Sequence, residues 1–354
     1  MNKKMTKWVL ATIIGLALLS CNKNVRIEPA EVVTPRNEIN TETLESYKNS
    51  LLGRPIVMAM HYGWGADGGS GAQLYRLPDY LDVVVVKDSR HQLLGWMEKD
   101  LSTTQQVKKT KVLNAIDFHA IDTQYADELK TKFKRQRDKL RNSWKDLETP
   151  LTPEEQAEQL ANLEKALTEE LHTNAITKAT KDTEEQVDAI SKYGFDGICV
   201  KLPENFQLIT KEETTQLLSK ITAVAGGANK AFLAIEAPFE EARSEIEKAT
   251  WIIFNKKVLE YRLSNFENEA LQWKDNRYLP SASFKGKDQK EGFMDETHFS
   301  LDELPRMQSI LYWQAPNKAG VAYYHTELDA SNVVETMPYG TLTSLIDKQR
   351  VLNK

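Results

Sequence analysis

The segment Tyr193-Gly194-Phe195-Asp196-Gly197-Ile198-Cys199-Val200-Lys201-Leu202-Pro203-Glu204 decides the fold. Its centre, Gly197 to Val200, is apolar without alternation, as expected of a strand buried on both faces of a parallel sheet. Ahead of it, Thr183 to Lys192 carries a helical pattern, and a helix feeding such a strand is half of a βαβ unit. Similar runs recur at Ile56–Met60, Val83–Val86, Val112–Ile116, Ala231–Ile235, Trp251–Phe254 and Gly320–Tyr324, with a weaker one from Tyr278 to Phe284. Together they predict an α/β chain closed into a (β/α)8 TIM-type barrel. A doubly wound open sheet is the alternative that the same pattern allows.

One interval departs from the repeat. Between the third and fourth runs the chain is far longer than one helix needs, and the surplus, about residues 125–180, is helical and charged. Leu129, Phe133, Leu140, Trp144 and Leu147 form one apolar stripe; Leu160, Leu163, Leu167 and Leu171 form another. Thr152 as N-cap and Pro153 at the first helical position start the second helix. The expectation is an antiparallel helical hairpin inserted between strands 3 and 4, on the face where barrel enzymes keep their sites. A lid, a partner platform and mere decoration all remain open for it.

The N-terminus bears on compartment. Lys3, Lys4 and Lys7 precede an apolar stretch from Trp8 to Leu19, too short to span a bilayer. It ends at Ser20-Cys21, a small-residue cleavage site. This resembles the lipobox of bacterial lipoproteins, which implies a signal peptide at 1–20 and acylation of Cys21; an ordinary signal with an incidental cysteine is the bland alternative. Residues 21–45 read as a polar tether with Pro29 and Pro35, and 46–354 as the barrel. With Cys21 acylated, only Cys199 remains, which excludes disulfides and cysteine metal clusters. Losing three leader lysines leaves 43 basic against 51 acidic residues, a net of −8, which argues against nucleic acid as a partner. His61, His91, His119, His172, His298 and His325 show no metal-ligand spacing, and the glycines from Gly63 to Gly71 lack a P-loop lysine, so neither metal nor cofactor is expected.

The stretch from Tyr193 to Glu204 resembles the fourth strand of glycoside hydrolase family 18, the chitinases and endo-β-N-acetylglucosaminidases, whose pattern there is Asp-Gly-x-Asp-x-Asp-x-Glu. Tyr62-Gly63-Trp64 after the first strand, Leu77-Pro78-Asp79 before the second, and a terminal helix near Leu342–Val351 fit the same family loosely. Laid on the motif, Asp196 and Gly197 match, while Cys199, Lys201 and Pro203 replace the second aspartate, the third aspartate and the catalytic glutamic acid. The resemblance therefore implies a degenerate motif. In the family that acid protonates the leaving oxygen, an aspartate orients the substrate acetamido group as nucleophile, and proline can donate no proton. Glu204, one residue late, would point away from the interior unless the strand end bulges. Asp117, Glu236 and Glu327 are further strand-end carboxylates and read first as surface or structural groups.

Tyr62, Trp64, Trp96, Tyr323 and Tyr324 are candidates for stacking on sugar rings; packing at barrel ends explains each of them singly as well. Three functions follow from this reading. The first is non-hydrolytic binding of N-acetylglucosamine-containing glycans at the cell envelope, in an uptake system with partner lipoproteins or an outer-membrane importer. The second is a divergent hydrolase using Glu204 or another strand-end carboxylate, and the third is an interaction scaffold built on the helical insert. A lipid anchor, on the outer membrane with its face unresolved, accompanies all three.

Overall fold

A computed structural model describes residues 41–64, 73–88, 91–254, 262–273, 277–293, 304–331 and 338–353. The leader and Cys21, and Gly65, Gly68, Gly69 and Gly71 of the glycine-rich loop, lie outside the described residues, as does His298. Among the described residues no helix is long and apolar enough to cross a membrane.

The strands are β1 (Ile56–His61), β2 (Val83–Val86), β3 (Lys111–Asp117), β4 (Gly197–Lys201), β5 (Phe232–Glu236), β6 (Trp251–Ile253), β7 (Tyr278–Leu279), β8 (Ser281–Ser283) and β9 (Gly320–Tyr324). All pair in parallel, in the order β7-β6-β5-β4-β3-β2-β1-β9-β8. β7 and β8 are one strand interrupted at Pro280, which has no N–H for the ladder. β7 pairs with β6 and β8 with β9, so the eight expected runs close an α/β TIM-type barrel.

The helices are α1 (Thr41–Asn49), α2 (Gly95–Val107), α3 (Phe118–Ser143), α4 (Pro153–Tyr193), α5 (Lys211–Thr222), α6 (Arg243–Ile246), α7 (Leu263–Ala270), α8 (Arg306–Tyr312) and α9 (Gly340–Leu352). α1 begins inside the stretch read as tether, because Leu44 is buried and anchors it to the domain.

Two apolar layers follow from the pleat. Met58, Met60, Val83, Val85, Leu113, Ala115, Cys199, Ala234 and Ala322 fill the barrel. Val57, Ala59, Val84, Val112, Ile198, Val200, Leu233 and Val321, one residue out of phase, pack under the helices. Gly197 is required where β4 meets β5: a Cβ there would lie 2.1 Å from the Phe232 carbonyl oxygen.

The long connection from β3 to β4 is the predicted helical hairpin, in a simpler form than expected. α3 starts directly at the end of β3, and α4 runs unbroken for 41 residues, so the hairpin's second arm and the helix feeding β4 are one rod. No glycine or proline interrupts α4 after Pro153. It starts in a capping box, with Thr152 Oγ1 accepting from the Glu155 N–H and Glu155 accepting from the Thr152 N–H. It ends at Gly194 with φ +76°, the left-handed cap that glycine adopts without strain. Its buried residues, Leu167 to Ala189, lie in its C-terminal part, so the distal arms extend beyond the barrel's packed layer.

Candidate functional site at the barrel mouth

Side chains that continue the interior rows past the C-terminal ends of the strands meet at the mouth. The row of Val83 and Val85 ends in Lys87, that of Leu113 and Ala115 in Asp117, that of Cys199 in Lys201, and that of Ala234 in Glu236. Asp117, Lys201 and Glu236 are lateral neighbours in register, setting an anion, a cation and an anion side by side on β3, β4 and β5.

The centre of the cluster is buried and ion-paired. The Lys87 ammonium contacts Glu236 Oε1, and both side chains are almost fully shielded from water. Tyr324 donates its hydroxyl to Glu236 Oε2 at 2.6 Å, and the Cys199 thiol donates to Oε1 at 3.2 Å. Burial alone would raise the Glu236 carboxyl, but the Lys87 charge and the three donors bring it below its ordinary value. Burial opposes the charge on Lys87 as well, and Glu236 reverses that, so the ammonium is held above the usual lysine range. Burial, with the Glu236 charge behind it, pushes the Cys199 thiol and the Tyr324 phenol well up. Glu236 is thus a buried, ion-paired anion that accepts from three donors, not a surface group.

The accessible rim lies above it. Tyr62 stacks on His325 with ring centroids 4.3 Å apart and planes 15° from parallel. Glu327 ties the pair down, accepting from the Tyr62 N–H at 3.1 Å and lying 3.1 Å from His325 Nδ1. The Tyr62 phenol is pushed up by burial, with Lys87, Glu236, Asp117 and Glu327 as its charged neighbours. Asp117 also caps α3, accepting from the Ala120 N–H at 2.8 Å. The strand-4 positions complete the rim: Pro203 is buried, and Glu204 points its carboxylate at the Lys201 ammonium, 3.8 Å away. Glu204 lies in a bend after the strand and reaches the Lys201 side chain from there.

Three of the five candidate aromatics lie elsewhere. Trp64, expected at the mouth, is a core residue: it is fully buried, donates its indole N–H to Asp100 Oδ2 at 3.0 Å and meets Phe195 edge-on. The chain turns outward after Tyr62, and Asp100 on α2 captures the indole. Tyr323 is out of phase with the interior row and points into the helical layer, donating to the Met307 carbonyl at 2.7 Å. Trp96, half-buried on α2, packs on the same outer layer. Tyr62 and Tyr324 are at the mouth. Asp196 sits at the opposite end of β4, where it accepts from Lys111 Nζ (2.9 Å), the Val112 N–H (3.0 Å) and Gln105 (2.8 Å) and fixes β3 against β4. Lys87 is a site residue that sequence reasoning missed; the even phase of Val83, Val85 and Lys87 was its signal.

A cavity of about 560 Å³ opens at the N-terminal end of the barrel, between Arg54, Thr250, Arg277 and Lys318. Its cations are engaged: Arg54 with Asp82, Lys318 with the carbonyls of Leu311 and Trp313, and Arg277 with those of Glu247 and Ala249. The mouth is where accessible polar and aromatic groups converge. Among the described residues no group of three or more His, Cys, Asp or Glu side chains is arranged to hold a metal ion.

No protein-family model and no curated protein sequence matches the chain. Solved structures do. The protein BT1044, as a Glu-to-Gln variant, superposes with a TM-score of 0.55 at 16% identity, over 88% of this chain and 93% of that one. An endo-β-N-acetylglucosaminidase from Cordyceps militaris, a double mutant in complex with fucosyl-N-acetylglucosamine-Asn, gives 0.54 at 13% identity, over 89% and 97%. A GH18 chitinase, ChiB, from the chitin utilization locus of Flavobacterium johnsoniae gives 0.46 at 9% identity, over 84% and 95%. The first two likenesses show that this chain shares their barrel fold.

Proposed function

We propose that this chain is an envelope lipoprotein that binds an N-acetylglucosamine-containing glycan at the barrel mouth without hydrolysing it. The observation that carries the reading is the charge pattern at strand 4: Pro203 stands where the resemblance places the proton donor, Lys201 beside it faces Glu204, and Glu236 below is consumed by Lys87. General acid catalysis contributes about 10²–10⁴-fold, and a proline at the donor position cannot supply it. An ammonium at the rim also opposes the cationic transition state of glycoside cleavage.

Binding asks for less. The Tyr62–His325 stack offers an aromatic edge, and Asp117 and Glu327 offer acceptors for sugar hydroxyls. The shared fold supports the ligand class, since the Cordyceps militaris relative holds fucosyl-N-acetylglucosamine-Asn. The leader and Cys21 support export and acylation, and delivery to an outer-membrane importer with partner lipoproteins follows as part of the same proposal. Calorimetric titration with chito-oligosaccharides and with a fucosylated N-acetylglucosaminyl-asparagine tests the reading. Saturable heat without release of reducing sugar is expected. Silence across both ligand sets, or turnover that Glu204→Gln abolishes, would reject it in favour of no glycan site or of a divergent hydrolase. Cys21→Ser should move the protein from the membrane fraction to the soluble one.

A further inference from the structure

The distal hairpin sorts its charge by arm. Between residues 130 and 145 there are eight basic side chains and one acidic one; between 154 and 170 there are six acidic and one basic. α3 and α4 pack along each other, leaving Leu129, Phe133, Leu140, Leu160 and Leu163 half-buried, with Trp144 donating to Gln159 at 2.8 Å across the pair. Lys134, Arg135 and Arg141 are left exposed on α3, and Glu154 and Glu158 on α4. Among the described residues none of these five forms an ion pair, and one pair alone bridges the distal arms, Lys132 to Glu170 at 3.1 Å.

Two arms of opposite sign, side by side, form a self-complementary surface. A two-fold axis along the hairpin sets α3 of one copy on α4 of the other and α4 on α3, so the contact of a basic face with an acidic one is made twice, as an isologous interface requires. A polyanion or an anionic membrane fits worse, because the acidic arm lies beside the basic one and the whole chain carries −5. We infer that this protein forms a homodimer through its α3–α4 hairpins. At 1.5 Å per residue each distal arm is roughly 25 Å long, and two helices side by side are roughly 20 Å wide. Each copy then offers on the order of 500 Å², near the lower limit for a specific interface. Charge complementarity of this kind fixes register and makes association sensitive to salt.

Sedimentation velocity on the chain from residue 22, which omits the leader and the cysteine read as acylated, tests this at ionic strengths of about 50 mM and about 500 mM. A dimer is expected at the lower value, with the dissociation constant raised about tenfold or more at the higher. The triple variant K134E/R135E/R141E and the double variant E154K/E158K should each be monomeric with unchanged helical circular dichroism. Mixed in equal amounts, they should restore the dimer mass, because the unchanged basic arm of one meets the unchanged acidic arm of the other. A wild-type monomer under all conditions, a dimer indifferent to both charge reversals, or a mixture that stays monomeric would overturn the proposal. Salt-dependent capture of wild-type monomer by heparin would overturn it too, assigning the basic arm to a polyanion.

Discussion

Glu236 and Lys87 face each other inside the barrel with almost no exposure, so each is tolerable there only because of the other. Removing one partner leaves a buried charge, and Glu236→Gln should cost about 3–5 kcal/mol in urea denaturation. The double change K87M/E236L should recover most of that, whereas additive losses would mean that the two groups are not coupled. His61 makes a second prediction. Burial lowers its pKa from 6.5 to about 4, so between those values the unfolded chain binds a proton that the folded chain refuses. Stability therefore falls as pH drops from 6.5 towards 4, by about 3 kcal/mol in total, and levels off below. His61→Gln should flatten that limb of a melting-temperature profile, and an unchanged slope would assign it to other groups. Glu236 acts lower still: its depressed pKa gives stability that is present above its unfolded value of 4.5 and lost as pH falls through the folded one.

At the scale of elements, Asp122 shows how the hairpin supports the mouth. Its carboxylate, on the first turns of α3, accepts from the N–H groups of Gln207, Leu208 and Ile209 at 2.8–2.9 Å, clamping the loop after β4. Asp122→Ala strands the buried N–H groups of Leu208 and Ile209, at about 1–3 kcal/mol each, while that of exposed Gln207 can turn to water. Hydrogen exchange should quicken over 204–210 while the β3 and β5 amides keep their protection; uniform loosening would deny the clamp. The strand pattern was legible because burial on both faces leaves unbroken apolar runs, and all eight runs are strands. The continuity of α4 had its signal in the absence of a breaker between Pro153 and Gly194, but in sequence the insert, ending near 180, reads as separate from the helix at 183–192. Side-chain direction at strand ends was not. Tyr323 and Tyr324 are equivalent in composition, and only the register against β1 sends one outward and the other into the barrel. The fate of Trp64 depends on Asp100, more than thirty residues away, which no local pattern links to it.

For the whole molecule the question is whether a barrel that has lost its acid still holds a sugar. Tyr62 is the aromatic ring at the rim, ordered by His325 on one side and by Glu327 through its N–H. Tyr62→Leu keeps apolar bulk but removes the flat face, and the dissociation constant for a bound chito-oligosaccharide should rise about tenfold, equivalent to about 1.4 kcal/mol. Trp64→Phe serves as the contrast. It removes the indole N–H that Asp100 accepts, leaving a buried carboxylate one donor short, so it should lower the melting temperature and leave affinity unchanged. The resemblance by itself weights Trp64 more heavily than Tyr62, whereas the geometry reverses the order. If Trp64→Phe weakens binding and Tyr62→Leu does not, the sugar sits outside the mouth described by Tyr62, Lys87, Asp117 and Glu236. The cluster would then be a structural plug, its ion pair closing the top of the barrel as the apolar rows close its middle.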